Sequence, residues 1–426
     1  MLAALRQTWA LMLGIALLML GHGLQGTLLG LRANLEAFQP ATTGIVMSGY
    51  YVGLLVGSLR VPMLVARVGH VRVFAALLSL GSTAILFQAM FVEPVAWFLM
   101  RFLTGYCFAG AFIVAESWLN GSATNETRGS LLSLYMVVQM GFMAGGQFLL
   151  NLADPRGFNL FILVSVLISV AAVPMLLTAV AAPTVTTPRR MGLLGLYRLS
   201  PLGVVGIAGI GAANSGLFAM GPVFADQEGL SVAAISVFMA AVILGGVLFQ
   251  VPIGRLSDRV DRRWVIAAAA LLTAVVALPP VLFPGLPAWT LFPGFFLLGG
   301  LSLPLYAVCV AHTNDYLSPE QMVGASSALI LAYGIGAAAG PTVTAFVMQL
   351  LGPPGYPIVQ AVLHNAIGLF ALYRMTRRAA APYEERSVYM TLPTPSPVAT
   401  SLAQEEARAQ TGSLVTPSGT GLVDAP

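Results

Sequence analysis

One arginine lies inside a long apolar run. Between residues 95 and 119 the only charged side chains are Arg101 and Glu116. An ionised arginine within a membrane-spanning helix costs roughly 2.5–3.5 kcal/mol on insertion scales, so it must reach interfacial water, a cavity or a partner. Glu116 is not that partner, because fifteen residues of helix separate the two by about 22 Å. Other polar side chains are scattered through similar runs: His22, Gln25, Gln139, Gln147, Asn214, His364 and Asn365. His22 and Gln25 are three apart and share one helix face. Such groups hydrogen-bond neighbouring helices or contact a bound molecule. Catalysis finds no support. The four histidines and two cysteines show no metal-ligand spacing, and no phosphate-binding Gly-x-x-x-x-Gly-Lys loop or nucleophile motif is present. Neither a cofactor nor a metal is expected, and Cys107 and Cys309 read as buried thiols.

These residues need elements that hold them in a membrane. The chain has 426 residues, 58% of them apolar and only 8% charged, whereas a soluble surface needs about 25% charged residues. A soluble enzyme, a secreted disulfide scaffold and a nucleic-acid binder are excluded. Apolar runs of spanning length predict twelve helices, at about 9–31, 42–63, 71–92, 95–119, 129–151, 158–181, 201–223, 231–253, 264–284, 288–311, 322–349 and 355–374. The first is too long for a cleaved signal core and reads as a retained span. The predicted organisation is an N-terminal six-helix bundle (1–182), a linker (183–200), a C-terminal six-helix bundle (201–375) and a tail (376–426). The tail is rich in Pro, Ser and Thr without a periodic apolar face, and is expected to be disordered. All 20 basic residues are arginine. With the N-terminus inside, 17 fall in inner segments and only Arg32 and Arg156 in outer ones, which places both termini in the cytoplasm.

The two halves echo each other. Leu64-Val65-Ala66-Arg67-Val68-Gly69 after span two matches the stretch through Leu256 and Arg259 after span eight. Gly141-x-x-x-Gly145-Gly146 likewise matches Gly336-x-x-x-Gly340-Pro341. Repeated halves suit two bundles that rock about a central site. Gly254-x-Leu256-x-Asp258-Arg259-x-x-Arg262-Arg263 resembles the loop signature of the major facilitator superfamily, and Arg101-x-x-x-Gly105 resembles its second signature. The resemblance covers about residues 9–375. Ala115-Glu116-Ser117-Trp118-Leu119-Asn120 and Ala311-His312-Thr313-Asn314-Asp315 are similar to an uncharacterised bacterial subgroup of that superfamily. Pro62 and Ala66 depart from the first-half signature, and Gly146 stands where the family's antiporters carry proline.

The resemblance implies a secondary transporter in the bacterial inner membrane. It would move a small organic solute by alternating access, coupled to protons and acting as a monomer. A transporter-like sensor or assembly factor is the alternative. The first helix of each three-helix unit lines the family's cavity, which makes His22, Gln25, Arg101, Asn214 and Tyr306 the cavity candidates. If Arg101 faces that cavity rather than snorkelling outward, the solute carries an anionic group. Arg67, Gly69, Gly254, Asp258, Arg259, Arg262 and Arg263 would form the cytoplasmic gate, with Asp258 as its latch. Glu116, paired with Arg67 or Arg128, and Asp315, paired with Arg259 or Arg262, would neutralise it; His312 lies beside them.

Overall fold

The computed structural model describes residues 2–122, 128–177, 191–380, 382, 389, 390 and 400. The expected linker residues 183–190 and most of the expected tail lie outside the described residues. Those described form an all-helical protein with twelve helices long and apolar enough to cross a membrane. The spans are Thr8–Leu35, Pro40–Val68, His70–Met90, Pro94–Gly121, Gly129–Leu152 and Asn159–Leu176 in the first half. Those of the second half are Pro201–Gln227, Val232–Arg259, Arg262–Leu282, Ala288–Asn314, Gly324–Leu351 and Gly355–Arg377. Helices satisfy their own backbone groups, as lipid requires. Their starts are written locally. Pro40 and Pro201 open their helices, where the missing N–H costs nothing. Ser231 and Asp261 cap spans eight and nine by accepting from Ala234 and Arg263 N–H groups.

Two expectations are refined. The linker contains a short helix, Leu193–Leu199, before Pro201. Span ten is not continuous: its helix stops at Ser302 and resumes at Leu305, because Pro304 supplies no N–H to the preceding turn.

Small residues set the packing within each half. A Cβ on Gly53 of span two would lie 2.8 Å from the Phe102 carbonyl carbon of span four. One on Gly245 of span eight would lie 2.9 Å from that of Phe296 in span ten. The repeat seen in sequence is thus also a repeat of backbone-close helix pairs.

The halves meet toward the arginine-poor ends of the spans. Asn34 donates to Asp226, the Ala41 N–H to Gln349 at 3.1 Å, and Asn151 to Ser236 at 3.1 Å; the Ser48 and Thr342 hydroxyls are 2.8 Å apart. Spans one and seven, two and eleven, and five and eight make these crossings. That end is packed shut.

Candidate functional site

A cavity of about 140 Å³ lies between the halves. Its polar lining comes from His22, Tyr50, Tyr51 and Gln139 on one side, and from Asn214, Gln250, Tyr306 and Tyr333 on the other. Toward the sealed end a smaller cavity of about 30 Å³ is lined by His22, Thr27, Tyr50, Tyr51, Arg101, Gln147 and apolar neighbours.

Span four brings Arg101 to the smaller cavity, 4% exposed, with its guanidinium carbon 4.6 Å from the centroid of the Tyr50 ring. The arginine is inside the protein rather than at the interface. Its Nε and one Nη are buried without a hydrogen-bond partner, as are both side-chain polar atoms of Gln25 and Nδ1 of His22. The His22 ring stacks 5.4 Å from Tyr50 and lies 4.9 Å from Phe108. A cation over an aromatic face is attracted by the ring quadrupole, but that contact leaves its N–H donors unused.

The cavity wall is tied to deeper residues in each half. Gln139 donates to the Tyr135 hydroxyl at 2.7 Å, and that hydroxyl donates to Glu116 at 3.0 Å. In the second half the Ser302 hydroxyl, at the span-ten break, lies within hydrogen-bond reach of both Asn214 Oδ1 (2.9 Å) and His364 Nε2 (2.8 Å). His364 Nδ1 meets the Gln360 carbonyl at 2.8 Å. Gln147 is spent on structure: its amide donates to the Gly23 carbonyl and accepts from Thr27.

The residues expected to form the gate lie at the arginine-rich ends of their spans, Arg67 and Gly69 in the first half and the others in the second. Gly69 turns span two into span three at φ +92°, a left-handed conformation that favours glycine. Arg67 and Arg259 are exposed. Arg262 is buried between Asp258 (2.9 Å) and Asp315 (3.3 Å), while Arg263 pairs with Asp261 at 2.7 Å and donates to the Arg378 carbonyl. Asp315 therefore engages Arg262, one of its two expected partners. His312 is buried against the Tyr316 ring. Glu116 is fully buried beside Tyr135; the side chain of Arg128 lies outside what the structure describes. Asp258 contacts residues of its own half and of the tail, accepting the Tyr389 N–H at 3.0 Å.

Of the five cavity candidates, His22, Asn214 and Tyr306 line the main cavity, and Arg101 joins His22 in the smaller one. Gln25 is buried but lines neither. Spans two, five, eight and eleven line the main cavity as well, through Tyr50, Tyr51, Gln139, Gln250 and Tyr333. The adjacent tyrosines at 50 and 51 within an apolar run were the available signal.

The fold resembles solved transporters. The nucleoside transporter NupG superposes with a TM-score of 0.68 at 14% identity, covering 86% of this chain and 98% of that one. A bacterial homolog of the human lysosomal transporter Spinster, inward-facing and occupied, gives 0.70 at 14% identity over 89% and 97%. The human organic anion transporter MFSD10 gives 0.60 at 16% identity over 86% and 99%. In sequence, the uncharacterized MFS-type transporter YcaD of Escherichia fergusonii is 29% identical over 346 residues, 81% of this chain and 89% of that protein. YcaD of Salmonella heidelberg is 29% identical over 349 residues. The Major Facilitator Superfamily profile matches residues 11–249 and 229–410. With twelve spans, two repeated halves and a match along almost the whole membrane region, the chain belongs to the Major Facilitator Superfamily of membrane transporters.

Proposed function

We propose that this transporter carries a small anionic organic solute across the bacterial inner membrane by alternating access, with protons as the coupling ion and the monomer as the working unit. The arginine-rich ends are cytoplasmic in this reading, on the 17-to-2 distribution of loop arginines. The observation that carries it is Arg101, buried beside a cavity between the halves with guanidinium donors left open. A carboxylate or phosphate oxygen would satisfy those donors, and a planar carboxylate suits the guanidinium fork. The tyrosines, Phe112 and Phe218 would surround the apolar body of the solute.

The test is solute counterflow in proteoliposomes, using labelled organic acids beside neutral amides of the same skeleton, with a pH-sensitive dye inside. Exchange of acids with dye-reported proton movement is expected. Equal exchange of the neutral amides refutes the anionic reading, exchange without proton movement refutes the coupling, and binding without exchange favours the sensor.

A further inference from the structure

Two of the described tail residues pack against the second half. Tyr389 and Thr400 are both buried, Thr400 completely. Tyr389 packs on Gly254 of span eight so closely that a Cβ there would collide with the phenol ring, with Cζ at 2.9 Å. Its N–H donates to Asp258 Oδ1 at 3.0 Å. Burial, reinforced by the Asp258 carboxylate, pushes the Tyr389 phenol above its ordinary pKa, so the ring packs as a neutral group. Thr400 Oγ1 lies 3.2 Å from the Tyr306 hydroxyl, on the wall of the main cavity.

These contacts mark a route. Gln250 lines the main cavity, Gly254 is one turn further along the same helix, and Asp258 is one turn beyond that, about 12 Å from Gln250 along the axis. Tyr389 therefore sits on the helix face that leads from the cavity to the arginine-rich end, and Thr400 touches the cavity itself. The opposite end is already shut. The oxygen of Asp258 that receives Tyr389 also receives Arg262 at 2.9 Å, so a carboxylate expected to latch the two halves is committed to the chain's own tail.

We propose that the tail, through Tyr389 on Gly254 and Asp258 and through Thr400 on Tyr306, is a tethered occupant of the passage between the central cavity and the arginine-rich face, and that it must leave before that face can close. The closure clause rests on the alternating-access reading; the occupancy does not, and the two are measured separately and without any solute.

Occupancy is read from maleimide labelling of Gln250→Cys in the purified full-length protein, compared with the same chain ended after Pro382. Losing a buried aromatic ring and a charge-assisted hydrogen bond should speed labelling about tenfold. A peptide covering residues 386–404, added back to the shortened chain, should slow it again. Gly254→Ala in the full chain, which removes the seat of Tyr389 and keeps the tail, should also speed labelling. Equal rates in the full-length, shortened and Gly254→Ala proteins overturn the occupancy. Closure is read from Met47→Cys, buried near the sealed end. Its labelling should rise in the shortened chain, because the arginine-rich face is then free to close and the other end to open. Faster labelling at position 250 with no change at position 47 overturns the requirement that the tail leave first.

Discussion

Gly44 allows the strongest test of how the two halves exchange states. It lies at the start of span two, where a Cβ would fall 2.6 Å from the Pro341 carbonyl oxygen and into the methyl of Ala345, both in span eleven. Gly44→Ala therefore adds one methyl at a contact between the halves that, in the alternating-access reading, is made only while the arginine-poor end is shut. Overpacking of this kind costs about 1–3 kcal/mol. Both colliding partners belong to the other half, so opening that end relieves the clash, and the penalty falls on the equilibrium between states rather than on folding. At about 1.4 kcal/mol per factor of ten, the open population should grow by about 5- to 150-fold. Gly53→Ala is the matched control. Its methyl would meet the Phe102 carbonyl and the Tyr106 nitrogen within the same half, a clash that persists in both states. The assay is maleimide labelling of Met47→Cys, with thermal unfolding in parallel. Gly44→Ala should label much faster with little loss of melting temperature, and Gly53→Ala should melt lower and label like its parent. If Gly44→Ala melts lower while its labelling rate stays at the parental value, this contact does not hold that end closed.

Three further expectations are simpler to state. Arg101→Ala should abolish binding of an anionic solute to the purified protein while membrane insertion persists, and Arg101→Lys, which keeps the charge but loses the fork, should weaken it by at least about tenfold; wild-type affinity in Arg101→Ala removes this residue from the site. A reporter fused after residue 378 should be cytoplasmic and one inserted near Asp154 external, and periplasmic exposure of the first overturns the orientation. Asp315→Asn withdraws one of two carboxylates from the buried Arg262 and should lower stability by about 1.5–3 kcal/mol, read from denaturant unfolding in detergent; unchanged stability would show that Asp258 alone suffices.

The spans, the six-and-six division and an arginine held inside a span at Arg101 were legible, because apolar runs of spanning length and a charge within one of them are strong local signals. The cavity wall was less so. In lipid a bundle-facing and a lipid-facing residue are both apolar, so periodicity does not tell them apart. The inward faces of Tyr50, Gln139, Gln250 and Tyr333 follow from how spans two, five, eight and eleven cross at the interface. The partners of Arg262 were half-legible. Asp315 was expected to meet Arg259 or Arg262 and packing selects Arg262, whereas Asp258, read as a latch between the halves, pairs with Arg262 one helical turn away. Tyr389 was invisible in sequence, since its seat is a missing side chain at Gly254, 135 residues earlier.

The triad of His364, Ser302 and Asn214 has a hydrogen too few. The Gln360 carbonyl can only accept, so the hydrogen of a neutral His364 ring resides on Nδ1, and Nε2 offers a lone pair. Ser302 has one hydroxyl hydrogen and two acceptors within reach, Nε2 at 2.8 Å and Asn214 Oδ1 at 2.9 Å. While the ring is neutral, the serine can serve one of them and must abandon the other. A second proton on His364 turns Nε2 into a donor and releases the hydroxyl to point at Asn214, on the cavity wall. The orientation of a single O–H bond thus reports, inside the cavity, the charge of a ring held one helix further out.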